Sequence, residues 1–316
     1  MLLSRVADAI YWISRYLERA EHTARLVDVA VDVGLGRGGA DAGAIRRLYG
    51  SLGLSPAAPL GQVASFGDAA LFDRSNENSV VASVAAAREN ARQVREEISS
   101  DMWEQLNGLF LRVKQMQEEG GGTRPHFAAR LIIEGIHLFQ GITDATMGHG
   151  EGWQYLQAGR FLERAGSTSA LLDAFITDTS EPDATFAPLD QVEWVALLRA
   201  CSALEAYSRF YTADVRPERV AEFLLLSEEF PRSVRFAAAS VEAALLGLAQ
   251  RSGRGSGRPE RLAGRLHASL DYAQVDEILG DNPHAYLTGI IRQCTQIHAA
   301  LYQKYITYQI ESALPA

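Results

Sequence analysis

The sequence predicts an all-α protein, and three observations carry that expectation. Apolar residues recur at steps of three and four over long stretches, no alternating strand pattern with hairpin signals stands out, and the opening helix returns about halfway along the chain. Val6, Ile10, Ile13, Leu17, Ala20, Ala24, Val27 and Val31 form one apolar row, as the buried face of a helix does. Arg15 to Asp28 aligns without a gap on Arg160 to Asp173, with eight of the fourteen positions identical. Such a repeat points to duplication: two halves of about six helices, residues 1–148 and 149–316, related by a pseudo-twofold axis and packed as one compact domain. The period is far longer than that of tetratricopeptide or armadillo arrays, which makes a solenoid the weaker alternative.

The helices are expected in order. The first spans about 3–33 and meets Gly34-Leu35-Gly36-Arg37-Gly38-Gly39, a cluster that ends helices because glycine takes the left-handed turn without strain. It follows a helix rather than a strand and has no Gly-Lys-Ser/Thr ending, so it reads as a linker and not a phosphate loop. Short helices near 41–52 and 60–72 flank a proline-marked segment at 55–59. Asn76-Glu77-Asn78-Ser79 reads as a helix start, with a helix to about Ser99. Helices at about 101–118 and 124–147 follow, separated by Gly120-Gly121-Gly122. After Gly148-His149-Gly150 the pattern restarts, with helices at about 151–177, 189–212, 216–229, 231–250, 258–279 and 284–312. Prolines and a Gly/Ser/Arg linker punctuate them.

Composition narrows the function classes. With 47% hydrophobic and 22% charged residues the chain is of ordinary globular make-up, and no apolar run has membrane-spanning length. A net charge of −9 opposes general affinity for nucleic acid or anionic lipid. Met1-Leu2-Leu3-Ser4-Arg5 leads into a charged amphipathic helix without a secretory signal's apolar core, and Cys201 and Cys294 lie far apart, so a cytoplasmic protein with two reduced thiols is expected.

The repeated helix carries the candidate site. On a helical wheel Glu18, Glu21, Arg15, His22 and Arg25 share one polar arc, which alone would suit a solvated face. In the second copy, however, Arg160 and Glu163 share a face with Leu156, Gly159, Gly166, Ser167, Ala170 and Ala174. Charges kept among small residues suggest close helix approach across an internal interface. Arg15, Glu18, Arg19, Arg160, Glu163 and Arg164 are therefore expected to form a central Glu-Arg network. Two roles stay open: fixing how the halves dock, or lining a polar cavity in which Glu18 or Glu163 is a general base.

Tyr16-Leu17-Glu18-Arg19-Ala20-Glu21, Phe161-Leu162-Glu163-Arg164-Ala165, Ala87-Arg88-Glu89-Asn90-Ala91-Arg92 and Phe230-Pro231-Arg232-Ser233-Val234, in that order, resemble the alpha-E domain family of bacteria. The family is named for its Glu-Arg motif and has no established activity or catalytic residue. The resemblance covers essentially the whole chain. It implies a helical partner of a circularly permuted ATP-grasp protein, often near transglutaminase-like proteins, in a peptide or amide-bond-forming system. An enzyme of peptide or acyl modification is the alternative. The second motif departs from the first by placing Gly166 where Glu21 stands.

Other residues are candidates for binding. Arg88, Arg92 and Arg95, at steps of four and three beside Asn90, form a basic row whose counterparts, aligned through Ser79 and Ser233, are Glu242, Leu246 and Ala249. The row suits a phosphate, an acidic peptide or the ATP-grasp partner, or is a solvated face paired with Glu89, Glu96 and Glu97. Trp103 and Asn107 are placed to border it. Glu134 and His137 have the Glu-x-x-His spacing of a di-iron helix, but one copy is insufficient, so no metal and no cofactor are expected. His22 and His137 read as packed or hydrogen-bonded histidines.

Overall fold

The computed structural model describes residues 2–36, 47–48, 50–53, 63–119, 124–176, 191–212 and 214–307. Helices account for nearly all of the regular structure there, and no strand occurs among the described residues. We number them α1 (Ser4–Gly36), α2 (Val63–Phe72), α3 (Val80–Gln93), α4 (Ser100–Glu118), α5 (Pro125–Thr146), α6 (Glu151–Ile176) and α7 (Gln191–Ala200). Then come α8 (Leu204–Tyr211), α9 (Pro217–Leu226), α10 (Val234–Ser252), α11 (Arg258–Asp271), α12 (Val275–Gly280) and α13 (Pro283–Leu301), which passes into a π-helical turn, Tyr302–Ile306.

Two long helices form the centre. α1 packs on α6, α3 and α5, while α6 packs on α1, α10 and α13. Along their shared seam the contacts advance in step, from Leu2 with Glu151 to Gly159 against Tyr11 and Arg164 on Glu18, so α1 and α6 run side by side in the same direction. The seam is close because Gly159 has no side chain. A Cβ there would come within 2.3 Å of Ser14 Oγ and 2.4 Å of the Tyr11 carbonyl oxygen. The apolar row of α1 is fully enclosed at Ile10, Ala20, Ala24 and Val27.

Local sequence explains most helix starts. Ser79, Ser99 and Ser233 each accept a hydrogen bond from the backbone N–H three residues on, which satisfies one of the free donors of a first helical turn. Asn282 does the same for α13, and Pro125, Pro217 and Pro283 open their helices at a position where proline's missing N–H costs nothing.

Several boundaries differ from the sequence expectation. α1 continues through Gly34 to Gly36, so the first glycines extend the helix rather than stop it. α3 ends at Gln93, which leaves Arg95 in the turn that follows. The helix expected at 189–212 is broken between Ala200 and Leu204, where Ser202 takes a left-handed φ of 50°. The one expected at 258–279 is divided into α11 and α12. Of the short helix near 41–52, residues 47, 48, 50 and 51 are helical. The linker glycines Gly38 and Gly39, the segment 55–59, Gly120 to Gly122 and residues 308–312 lie outside the described residues.

Candidate functional site

The polar arc of α1 does not face water. Glu21 is 0% and Glu18 1% exposed, and His22 and Arg25 are buried beside them. Burying a bare carboxylate costs several kcal/mol or more, so each must be met by cations or donors. Glu18 receives two parallel bonds from Arg164, Nε to Oε1 at 2.6 Å and Nη2 to Oε2 at 2.7 Å, a fork-to-fork geometry that only arginine supplies. Glu163 receives Arg19 Nε on Oε1 and Arg15 Nε on Oε2, both at 2.7 Å. The exchange is reciprocal: the arginine of each Glu-Arg motif holds the glutamate of the other.

Arg160 sits at the looser edge of the network. Its Nε is 3.9 Å from Glu18 and its Nη2 donates to Gln140 at 2.9 Å. Two arginines outside the motifs complete the cluster. Arg25 bonds Glu21 at 2.5 Å, and Arg232 bridges Glu21 and Glu18, the latter at 3.3 Å. His137 Nε2 and Gln140 Nε2 also reach Glu21, at 2.7 and 3.2 Å. Six guanidinium groups thus surround three carboxylates.

Electrostatics follow from that ratio. Burial works to raise the Glu18 carboxyl, but Arg164 and then Arg232 outweigh it and hold it at about 2. Burial likewise opposes ionisation of Glu21 and Glu163, and the arginines prevail at both, leaving Glu21 well below the usual carboxylate range. The surplus of cations shows on the other side: burial, and then Arg25, lower Arg232 to about 10, and burial with Arg164 lowers Arg160. His22, buried and next to Arg25, is pushed down to about 3 and is neutral. Carboxylates held this far below neutrality are permanent anions and weak bases.

Openings reach this centre from two sides, toward Glu21 and at Glu163. A cleft of about 590 Å³ is bordered by Arg25 and Asp28 of α1, Arg130 and His137 of α5, and Arg199 and Ser202 at the break after α7. His137 stands between this cleft and buried Glu21. On the other side a groove of about 290 Å³ exposes Arg15 and Glu163 between α6 and α13, with Gly166, Ala170, Thr295 and His298 in its walls. His298 Nδ1 lies 2.9 Å from the Tyr11 hydroxyl and 3.2 Å from Arg15 Nη1. Arginine can only donate, so Nδ1 accepts and the ring proton sits on Nε2. Burial, and then Arg15, lower His298 to about 4 and keep it neutral.

The small-residue face of α6 therefore serves two purposes where the sequence suggests one. Gly159 permits close approach to α1, whereas among the described residues nothing lies within 4 Å of the place a Gly166 Cβ would take.

The basic row is not a free cationic strip. Arg88 lies over Trp103 and Phe110, at 5.4 and 5.3 Å, and donates to Asn107 at 3.2 Å, while Arg95 lies 4.8 Å over the same indole from beyond the end of α3. Arg92 is paired to Glu89 at 2.6 Å, and Asn90 is half-buried. Arg88, Trp103, Asn107 and Arg95 are together; Arg92 faces its own helix neighbour.

Sequence reasoning passed over Arg232 and His298, and read His137 as a packed or hydrogen-bonded histidine without naming Glu21 as its partner. Arg232 directly precedes the Ser233 cap, and that capping geometry delivers it to α1; the motif was visible but not its reach. Two Asp–His contacts were also missed: His126 Nδ1 lies 2.7 Å from Asp28 out of hydrogen-bonding alignment, and His284 Nδ1 is hydrogen-bonded to Asp173 at 2.9 Å. Their signal was present, because Asp28 and Asp173 are equivalent in the repeat and each histidine follows the proline that opens its helix.

The relatives that match nearly the whole of this chain are themselves uncharacterized. The chain is 26% identical to an uncharacterized protein of Mycobacterium bovis and 25% identical to one of Mycobacterium tuberculosis, in each case over 94% of this chain and 35% of the relative. It thus spans about a third of the length of these curated relatives. No solved structure matches it at a significant level. The Alpha-E model, described as a predicted alpha-helical domain with a conserved ER motif, matches residues 2–306, and the chain belongs to that family.

Proposed function

We propose that this protein is a rigid helical partner of an ATP-grasp-linked system that forms peptide or amide bonds, docking the ligase or positioning its substrate. It is built from two copies of one half, residues 1–148 and 149–316, related by a pseudo-twofold axis through the Glu-Arg network. The observation that carries the partner role is the length of the relatives: the same helical unit occupies 35% of a longer chain there, as expected of a component that acts beside other domains. The circularly permuted ATP-grasp protein, and a transglutaminase-like protein beside it, come from the family resemblance. The network is suited to holding the halves in register, because its carboxylates are saturated by arginine. A cytoplasmic setting keeps the two buried thiols, Cys201 and Cys294, reduced. Co-expression with the neighbouring ATP-grasp protein tests the proposal: a stable complex or stimulated ligase activity is expected, and the absence of both overturns it.

The second reading, an enzyme of peptide or acyl modification, draws on one observation, that Glu163 borders a groove open to solvent. Glu163→Gln separates the two. Activity lost with unchanged melting favours chemistry at Glu163, whereas lowered melting assigns the residue to the framework.

A further inference from the structure

The two halves differ where Glu21 stands. Aligned through the repeated helix, Glu21 corresponds to Gly166 and Arg25 to Ala170. Aligned through Pro125 and Pro283, His137 corresponds to Thr295 and Gln140 to His298, and through the serine caps Arg232 corresponds to Asn78. In the first half Glu21 is bonded by Arg25, Arg232, His137 and Gln140. At the equivalent place around Gly166 the carboxylate and its cationic partners are gone together, Arg25 being replaced by Ala170 and Arg232 by Asn78. The vacated place is open: Gly166, Ala170, Thr295 and His298 are all walls of the 290 Å³ groove.

An unpacked glycine in the middle of a helix costs about 1 kcal/mol against alanine, and Gly166 gives nothing back in packing. What it gives is access. The groove ends on Arg15 and on Glu163, which is 8% exposed. Glu163 is held by two guanidinium groups, Arg15 and Arg19, so one positive charge is left over at the end of the groove. The Ser167 hydroxyl and the neutral His298 ring, with its proton on Nε2, add donors in the walls, whereas the Thr295 hydroxyl is spent on the Ile291 carbonyl at 3.1 Å.

We propose that this groove binds a small carboxylate, of the size of a glutamate side chain, in the place that Glu21 fills in the first half. The ligand's carboxylate meets Arg15 and the hydroxyl and imidazole donors, and its carbon chain lies over Gly166 and Ala170. Charge decides the class: an anion balances the surplus guanidinium, whereas a cation would face it unscreened in a partly enclosed site.

The inference rests on reading the halves as copies and does not depend on the ATP-grasp partner. Isothermal titration calorimetry of the whole chain with glutarate, and with glutaramide as the uncharged counterpart, tests it. Glutarate is expected to saturate at or below about 20 mM and glutaramide to bind at least about tenfold more weakly. Gly166→Leu and Ala170→Leu, each filling the groove from a different position, abolish the glutarate signal, and Gly166→Ala retains it. Melting curves recorded in parallel identify any variant that does not fold, and the remaining ones decide. Equal binding of the two probes, no glutarate binding by the wild type, or undiminished binding by a folded leucine variant overturns the proposal. Association with the ATP-grasp protein, measured on the same variants, is a separate readout: its absence in the wild type sinks the partner role and leaves the groove untouched.

Discussion

Glu18 and Arg164 lie 146 residues apart in the chain and are joined by two bonds of 2.6 and 2.7 Å inside the protein, with both side chains almost fully enclosed. Removing either partner leaves the other charged and buried. Arg164→Met is expected to cost about 3–5 kcal/mol, and Glu18→Gln a comparable amount. The double variant should cost less than the sum of the two. Urea unfolding of the four proteins checks this, and additive losses would show that the pair is not coupled.

Acid should unfold the protein in two stages. His22 and His298 are lowered in the folded state to about 3 and about 4, from an ordinary 6.5, so as pH falls below 6.5 the unfolded chain takes up protons that the folded one refuses. Stability then declines. The carboxylates add a second decline: Glu18, lowered from 4.5 to about 2, stabilises fully above pH 4.5 and loses that contribution as pH falls toward 2. Melting temperature followed from pH 8 to about 3 should bend downward first near 6.5 and more steeply below 4.5, and His22→Gln should soften the first bend.

Two glycines of one helix should respond oppositely to alanine. Gly159→Ala forces a methyl against Ser14 and the Tyr11 carbonyl and is expected to cost about 2–3 kcal/mol. Gly166→Ala meets open space and should stabilise by about 0.5–1 kcal/mol through helix propensity. Thermal melts of the two variants suffice, and a loss at both positions would contradict the open groove.

The surface between α3 and α4 depends on Trp103 more than on its charges. Two guanidiniums stack on that indole, each contributing about 0.5–1 kcal/mol. Trp103→Ala should therefore destabilise by about 2 kcal/mol once lost apolar contact is added. Arg92→Ala, which breaks only an exposed pair, should stay within about 0.5 kcal/mol of wild type. Equal losses at the two sites would mean that the ion pair, not the stacking, organises this surface.

The helical class was legible because periodicity reports local burial, and the repeat was legible because its eight identities fall in one ungapped stretch. The breaks were less so. Nothing in the composition around Ser202 announces a left-handed residue, and the turn after Gln93 carries neither glycine nor proline. For the site, the wheel puts Glu18, Glu21 and Arg25 on one arc, which for α1 alone favoured a solvated face. Burial of that arc is created by α5, α6 and the segment before α10, at separations of more than 100 residues. The second copy was the better guide, since small residues beside a charged pair report a neighbour even when the neighbour is unknown. That guide also misled at Gly166, because a small residue that leaves room and one that allows contact are the same letter in a sequence.

The seam between α1 and α6 has a consequence for how this unit can be inherited. Arg19 of α1 holds Glu163 of α6 and Arg164 of α6 holds Glu18 of α1, so a chain severed near Gly148 would part both pairs and open the seam to water. Neither piece is a currency that recombination could trade separately. What can be joined to other sequence, excised or moved as a whole is the pair, and the span shared with the mycobacterial proteins covers both members of it.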